Sequence, residues 1–248
     1  MKNRRPLLIQ GAMDSETDIM IESLADVRTQ TLHGYAFAAG ALSGHPVVIS
    51  KTGAGMANAA AATAVGIMAF APIALINQGT AGGHDPALHQ GDIVVGTQII
   101  HIGAFMTDWA DVGAGIHPEN WHMRRTHLGA TDRVTALQSD PSLVQIAERA
   151  ADAQGLGAVH LGTIGSSDMF NRELDRIHQL RAQFGTSCEE MEAFAAAQVC
   201  ALMGVPFLGI RVISNNELHQ ESFDAGTGAS CQAYVLEVAN LMLPSTHP

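Results

Sequence analysis

Short apolar runs that end in glycine-rich or polar turns recur along this chain. They have the length of β-strands and are rich in Val, Ile and Leu, with little alternation of apolar and polar residues. That pattern is typical of strands that are covered on both faces. The runs are PLLIQGA (6–12), HPVVISKTGAG (45–55), IALINQGTAGG (73–83), GDIVVGTQII (91–100), VHLGTIGSS (159–167) and PFLGIRVIS (206–214).

Longer helix-forming stretches separate these runs, so the chain is predicted to have an α/β fold. Asp140, which precedes Pro141, is the predicted N-cap of one helix. No Pro-rich linker, low-complexity segment or internal repeat divides the chain, and we therefore expect residues 1–248 to form a single three-layer α/β/α domain around one sheet. The predicted helices span 55–70, 140–154, 189–204 and 230–243.

The segment 101–133 has no clear periodicity and contains both tryptophans of the chain. Irregular segments of this length inside a domain usually act as a lid or a subunit contact, or are local insertions. We expect a long irregular loop here, and Phe105, Met106 and Trp109 are its candidates for contacting a partner subunit.

Composition excludes several classes of protein. With 248 residues, 47% of them hydrophobic and 15% charged, the chain is expected to be globular. Its 13 basic and 24 acidic residues give a net charge of −11, which argues against a nucleic-acid partner. No apolar run suggests a membrane partner or a secretory signal, and the cytoplasm is the expected location. Three widely spaced cysteines without a CxxC pair predict reduced thiols, and no metal-binding motif is found among the twelve histidines.

Polar side chains follow several of the predicted strands, and ligands of open α/β sheets bind beyond the carboxyl ends of strands. Taken singly, each stretch has a structural explanation, since glycines serve turns and acidic residues stabilise the first turn of a helix. The stretch EEMEA (189–193) is predicted to be such a first turn. The strand ends are GAMDSE (11–16), KTGAG (51–55), NQGTAGG (77–83), SSDMFN (166–171) and RVISNN (211–216).

Taken together, these stretches resemble the purine nucleoside phosphorylase superfamily and, within it, the 5′-methylthioadenosine/S-adenosylhomocysteine nucleosidases. The resemblance runs from about residue 6 to 242, and its most specific part is EEMEAFAAAQVCALMGVPFLGIRVISN (189–215). It implies a mixed, twisted central sheet and a homodimer. It also implies cleavage of the N-ribosidic bond of a small purine nucleoside without a metal or redox cofactor.

The resemblance also implies roles for individual residues. Glu16 matches the acid that activates water, and Glu192 matches the carboxylate that holds the ribose hydroxyls. Both types of group suit a reaction that passes through an oxocarbenium-like state. Met13 and Met191 match the apolar wall beneath the ribose, Thr80, Ala81 and Gly82 match the turn beside base and sugar, and Phe170 matches the aromatic residue that stacks on the purine. Asn171 matches a residue that contacts the purine through its backbone, and Phe223 matches an aromatic residue at the 5′ substituent. Glu190, Arg211 and Ser214 complete the predicted substrate-binding set, with Arg211 either a structural partner of nearby carboxylates or a residue that tunes the pocket, and Ser214 supporting the base loop.

Two positions decide between related reactions. Phosphorylases of the superfamily typically have an arginine where this chain has Asn77, and Lys51 is the only nearby cation, so water is favoured over phosphate as the nucleophile. Adenine-specific nucleosidases usually have aspartate where this chain has Asn215. We predict that Asn215 is the third catalytic residue, with Glu16 and Glu192. An amide can pair with adenine or with a 6-oxopurine. The main prediction is hydrolysis of 5′-methylthioadenosine and S-adenosylhomocysteine to release adenine. The alternatives are a 6-oxopurine nucleosidase, of the futalosine or inosine type, and a nucleoside-binding or storage protein.

Overall fold

The computed structural model describes residues 4–151 and 158–243 of the chain. In these residues the α-helices are α1 (Asp18–Glu22), α2 (Met56–Phe70), α3 (Pro141–Ala150), α4 (Leu174–Phe184), α5 (Ala193–Met203) and α6 (Thr227–Met242). The strands are β1 (Leu7–Gly11), β2 (Ala25–Leu32), β3 (Tyr35–Leu42), β4 (His45–Lys51), β5 (Ala74–Gly83), β6 (Ile93–His101), β7 (Phe105–Met106), β8 (His122–Met123), β9 (Thr126–Leu128), β10 (Asp132–Val134), β11 (Ala136–Gln138), β12 (Val159–Ser166), β13 (Thr186–Glu190) and β14 (Phe207–Asn215).

Ten strands form one mixed sheet. β1 pairs in parallel with β4 and β5, and β5 pairs in parallel with β14. β14 is antiparallel to β6, which continues through the parallel strands β12 and β13, and β13 returns antiparallel to β5. Five strands therefore close into a ring, while β1, β4, β3 and β2 extend from it as an open sheet. The predicted mixed sheet is confirmed, with this closure as an added feature.

Side chains alternate between two cores on opposite faces of the sheet. In β1, Leu7 and Ile9 pack in the core that includes Tyr234 of α6, whereas Leu8 packs in the core that includes Phe194 of α5. Successive residues of a strand point to opposite faces, so a strand of five buried residues supplies both cores. Helices cover both faces of the sheet, as the predicted three-layer arrangement requires.

All six predicted strands are present. The helix that was predicted to start with EEMEA begins later in the structure than expected. Glu189 and Glu190 are the last residues of β13, and α5 begins only at Ala193, with Glu192 as its N-cap. The prediction that these glutamates form the first turn of a helix was therefore wrong for Glu189 and Glu190. The physical reason is that β13 pairs with β12 and β5 up to these residues.

The helix predicted over 140–154 begins as expected. Asp140 caps α3 by accepting hydrogen bonds from the backbone N–H of Ser142 (2.9 Å) and of Leu143 (3.3 Å). The helix is described to Ala150, and residues 152–154 of the prediction lie outside the described residues.

The segment 101–133 contains two short antiparallel strand pairs, β7 with β8 and β9 with β10, joined by irregular backbone. Phe105 packs locally against Phe184 and Trp121, and the guanidinium of Arg176 lies over both the Phe105 and the Trp121 ring. Trp109, by contrast, is 85% exposed. Phe105 is therefore a packing residue of this segment, whereas Met106 and Trp109 are exposed, as are Val112 and Ile116.

The three cysteines are buried and form no disulfide. Burial raises the pKa of the Cys200 and Cys231 thiols to about 12, which keeps them protonated and unreactive. In the described part of the chain, no helix combines the length and the apolar character that crossing a membrane would need.

Candidate active site

A cavity lies at the edge of the sheet where β1, β5, β13 and β14 end. It brings together carboxylates, apolar side chains and the glycine-rich end of β5, and no Lys or Arg is among the described residues that line it. The predicted site residues that line it are Met13, Glu16, Thr80, Ala81, Gly82, Phe170, Glu190, Met191, Glu192, Ser214 and Phe223. The predicted residues Asn171, Arg211 and Asn215 do not line it and lie in the surrounding layer.

Glu16 is buried and is fixed by four hydrogen-bond donors. One carboxylate oxygen accepts from the backbone N–H of Ala12 (2.8 Å) and Met13 (3.2 Å). The other accepts from the backbone N–H (2.8 Å) and the hydroxyl (3.1 Å) of Thr80. A Cβ at Gly79 would lie 2.7 Å from this carboxylate, so glycine is required there. The sequence thus places a carboxylate from the β1–α1 turn directly against β5.

Glu192 lies at the start of α5 and accepts a hydrogen bond from the backbone N–H of Gly55 at 2.8 Å. Burial, together with the neighbouring carboxylate of Glu190, raises the pKa of its carboxyl to about 7. Arg211 and the Gly55 hydrogen bond oppose this shift, and Glu16 adds to it. Two carboxylates on separate elements therefore influence each other across one cavity.

Glu190 and Arg211 form a buried ion pair next to Glu192. Glu190 also accepts from the Ser166 hydroxyl and from the backbone N–H of Glu192 (2.9 Å) and Ala193 (2.8 Å). The last residue of β13 thereby satisfies the free N–H groups at the start of α5.

Arg211 is 1% exposed and is held within β14 and β5. Besides Glu190, it donates to the backbone oxygens of Asn77 (2.9 Å) and Ile210 (2.8 Å) and to the side-chain oxygen of Asn77. Asn77 is thus a buried partner of Arg211 and does not face the cavity.

Asn215 lies behind Gly82 at the other end of the cavity and is 2% exposed. Its side-chain nitrogen is 3.6 Å from the position that a Cβ would occupy at Gly82. The hydroxyl of Ser214 lies 3.0 Å from the side-chain oxygen of Asn215 and 3.1 Å from the backbone oxygen of Ala81, and it has one hydrogen to donate between these two acceptors. Phe170 and Phe223 are each about half exposed, at the mouth of the cavity.

Glu189 also lines this end of the cavity, although the sequence suggested only a helix-stabilising role for it. Its carboxylate accepts from the backbone N–H of Asn171 at 2.7 Å and from the Asn171 side-chain amide. Nε2 of the buried His84 lies 3.3 Å from the same carboxylate. Asn171 was expected to contact the purine through its backbone, and its backbone N–H is engaged by Glu189. The doubled glutamate before Met191 was the signal available in the sequence.

The one cation that sequence reasoning considered for phosphate, Lys51, is paired. Its ammonium forms an exposed ion pair with Asp14, and this hydrogen bond raises the pKa of Lys51. With Asn77 buried against Arg211, neither position offers a free positive charge to the cavity.

Comparison with known proteins identifies the family of this chain. The chain belongs to the phosphorylase superfamily, whose family model matches residues 6–243. Among its relatives it is similar to the 5′-methylthioadenosine/S-adenosylhomocysteine nucleosidase of Halalkalibacterium halodurans, with 35% identity over 209 residues that cover 84% of each chain.

Solved structures give the same result. The 5′-methylthioadenosine/S-adenosylhomocysteine nucleosidase from Neisseria meningitidis, in complex with methylthio-immucillin-A, matches with a TM-score of 0.79 and 29% identity, covering 95% of this chain and 99% of that one. The nucleosidase from Colwellia psychrerythraea, in complex with adenine, matches with a TM-score of 0.78 and 29% identity over 96% of both chains.

Proposed function

We propose that this protein is a purine nucleosidase that hydrolyses the N-ribosidic bond of 5′-methylthioadenosine and of S-adenosylhomocysteine and releases adenine. The observation that carries the proposal is that Glu16 and Glu192, from two different elements, line one cavity with Phe170 at its mouth. The similarity to nucleosidases of that name, one of them bound to adenine, supports the choice of substrate.

In the proposed mechanism, Glu16 accepts a proton from the attacking water while the bond between C1′ of the ribose and N9 of the purine breaks. The electron pair of that bond stays on the purine, which takes up a proton from solvent water as the free base. Four hydrogen bonds fix the carboxylate, and the water approaches it from the cavity that Glu16 lines. Glu192 holds the ribose hydroxyls, and its negative charge stabilises the oxocarbenium-like sugar. Met13 and Met191 form an apolar wall beneath the ribose, and Phe170 stacks on the purine.

Water is the proposed nucleophile. A phosphate dianion would enter a cavity lined by four glutamates, in which no described lining residue is basic. Added phosphate should therefore leave the rate unchanged, and the sugar product should be free ribose with its 5′ substituent. Accumulation of a sugar 1-phosphate would contradict hydrolysis.

The test is base release from methylthioadenosine, adenosylhomocysteine, inosine and futalosine, measured with and without phosphate. Adenine release from the first two is the expected result. Release of hypoxanthine or of the futalosine base alone would support a 6-oxopurine nucleosidase. Binding of a nucleoside without release of any base would support a binding or storage protein instead.

The 6-oxopurine nucleosidase remains as a second candidate because of the orientation of Asn215. The amide oxygen of Asn215 lies 3.0 Å from the Ser214 hydroxyl, and the amide nitrogen is the group that would donate to N7 and O6 of hypoxanthine, which are both acceptors. Asn215→Asp should raise turnover of adenine nucleosides and suppress any 6-oxopurine activity, because a carboxylate repels O6 unless it is protonated. An unchanged preference, measured as the ratio of kcat/KM values, would mean that another residue reads the base.

Two further parts of the proposal concern the whole protein. We propose a homodimer that forms through the segment 101–133. Four apolar side chains of this segment are exposed and support the proposal, namely Met106, Trp109, Val112 and Ile116. A cytoplasmic location is proposed because the three unpaired, buried cysteines suit a reducing compartment.

A further inference from the structure

Glu189 places an acceptor at the end of the cavity that faces the purine. Its side chain lines the cavity, and its Cγ is 3.7 Å from the position that a Cβ would occupy at Gly82. The side-chain nitrogen of Asn215 lies 3.6 Å from the same position. The side-chain oxygen of Asn215 lies 3.9 Å from it. Asn215 does not line the cavity itself, but Gly82 does, and the missing side chain of this glycine brings the Asn215 amide within reach of a ligand edge that also meets Glu189.

The end of the cavity at Glu189 and the end at Glu16 adjoin different residues of β5. Thr80 contacts Glu16, whereas Gly82, two residues further along the strand, adjoins Glu189 and Asn215. Two residues of a strand span about 6.6 Å, at about 3.3 Å each. A nucleoside with its ribosidic bond at Glu16 thus extends its base toward Glu189 and Asn215.

Glu189 is held so that it presents a fixed carboxylate. Asn171 donates to it from the backbone and from the side chain, and His84, itself hydrogen-bonded to the Thr186 hydroxyl at 2.8 Å, lies 3.3 Å from it. A carboxylate has about four lone-pair sites, so the two donors from Asn171, even with His84 as a third, leave one acceptor position for a ligand N–H.

The donor and acceptor match one class of purine. Along its major-groove edge, adenine presents N7 as an acceptor beside an amino group that donates, whereas a 6-oxopurine presents two adjacent acceptors. We infer that Glu189 is a specificity-determining residue that accepts a hydrogen bond from the 6-amino group of the base, while Asn215 donates to N7. The two side chains then divide between them the contacts that the aspartate of adenine-specific relatives is expected to make alone.

This inference rests on the proposed nucleosidase activity and makes it specific for 6-aminopurines. A 6-oxopurine would place O6 against the Glu189 carboxylate, and a site built to accept from an N–H discriminates strongly against a ligand that lacks it. The inference also selects between the two candidate substrates that Asn215 alone leaves open.

The test compares two substrates that differ only at position 6, 5′-methylthioadenosine and 5′-methylthioinosine. The native protein should prefer the adenosine, and Glu189→Gln should lower that preference, expressed as the ratio of kcat/KM values, by about tenfold or more. Glu189→Gln removes the charge and offers an amide donor that O6 can use. Glu173→Gln, a change at an exposed glutamate outside the cavity, is the matched control and should leave the ratio unchanged.

A ratio is used because a merely structural role of Glu189, such as support of Asn171, would lower both rates together and leave the ratio unchanged. That result would overturn the inference. A native preference for methylthioinosine would overturn it as well, even if the variant failed to fold, since it would indicate that Glu189 faces the N1–H of a 6-oxopurine.

Failure of the proposed function gives a different result, because the native protein would then release base from neither substrate. In that case the affinities of adenine and hypoxanthine, measured by calorimetry, still test the inference. Tighter binding of adenine that is lost in Glu189→Gln supports it, and equal affinities in the native protein contradict it.

Discussion

At the scale of single residues, Glu16 combines donors from two segments of the chain, the β1–α1 turn and β5. Glu16→Gln removes the proposed base. It also leaves one side-chain oxygen to accept the hydrogen bonds that two carboxylate oxygens now accept. Turnover should fall by about 10²- to 10⁴-fold, the usual contribution of general base catalysis, while adenine still binds. Steady-state kinetics and calorimetry measure the two effects. Glu22→Gln, at an exposed position of α1, is the control, and a variant with an unaffected rate would remove Glu16 from the mechanism.

Glu192 should give the reaction a pH dependence. Burial raises the pKa of its carboxyl from 4.5 to about 7, so the protonated form predominates below about pH 7. Because the carboxylate is the form that stabilises the sugar cation, kcat/KM should rise as the pH rises through about 7. Glu192→Gln should lose both the activity and this dependence. A native profile that is flat between pH 6 and 8, a window of about one unit on each side, would contradict the role.

The raised pKa of Glu192 affects stability in the opposite direction to activity. The folded protein binds a proton at Glu192 that the unfolded chain has already released, so this residue lowers the free energy of unfolding as the pH rises from about 4.5 to about 7. Activity and the Glu192 contribution to stability should therefore change in opposite directions over that range.

How far single residues could be predicted from sequence depends on where their partners come from. The types and order of Glu16, Glu192 and Phe170 were sufficient to propose one site, and the structure brings them to one cavity. Glu189 could not be placed in the same way. Its orientation depends on Asn171 and His84, which are distant in sequence, and on β13 continuing one residue past it.

At the scale of elements, the buried Glu190–Arg211 pair joins β13, β14 and the start of α5. Arg211→Met should lower the free energy of unfolding by about 3–5 kcal/mol, because it leaves a buried carboxylate without its cation. Urea denaturation measures the change, and a double variant with Glu190→Leu should recover much of it. Arg172→Met, which breaks an exposed pair with Glu217, should cost about 1 kcal/mol or less. Equal losses in the two single variants would contradict a structural role for the buried pair.

Elements with long apolar runs were the ones that sequence could predict. The strands β1, β4, β5, β6, β12 and β14 were all expected. β2 was not, because its residues are almost all exposed and carry no buried run, and β3 is only partly buried against it. The closure of five strands into a ring was also beyond prediction, since it depends on β13 and β14 each pairing with β5.

At the scale of the whole molecule, the segment 101–133 presents apolar side chains that its own packing does not cover. Phe105 is held by Trp121, Phe184 and Arg176, but Trp109, Val112 and Ile116 project into solvent. Exposed apolar groups that lie near one another commonly mark a protein interface. The resemblance to the nucleosidase family gave the expectation of a homodimer from sequence, although a single chain cannot contain the contact itself.

Trp109→Glu should therefore convert the proposed dimer to a monomer. A buried carboxylate without a partner would oppose association, whereas the fold of the monomer should be unaffected because Trp109 is 85% exposed within it. Light scattering should give twice 26.1 kDa for the native protein and 26.1 kDa for the variant. Met68→Glu, at an exposed methionine of α2, is the matched control and should remain dimeric. A native protein that is monomeric at every concentration, or a Trp109→Glu variant that remains dimeric, would show that this segment does not form the interface.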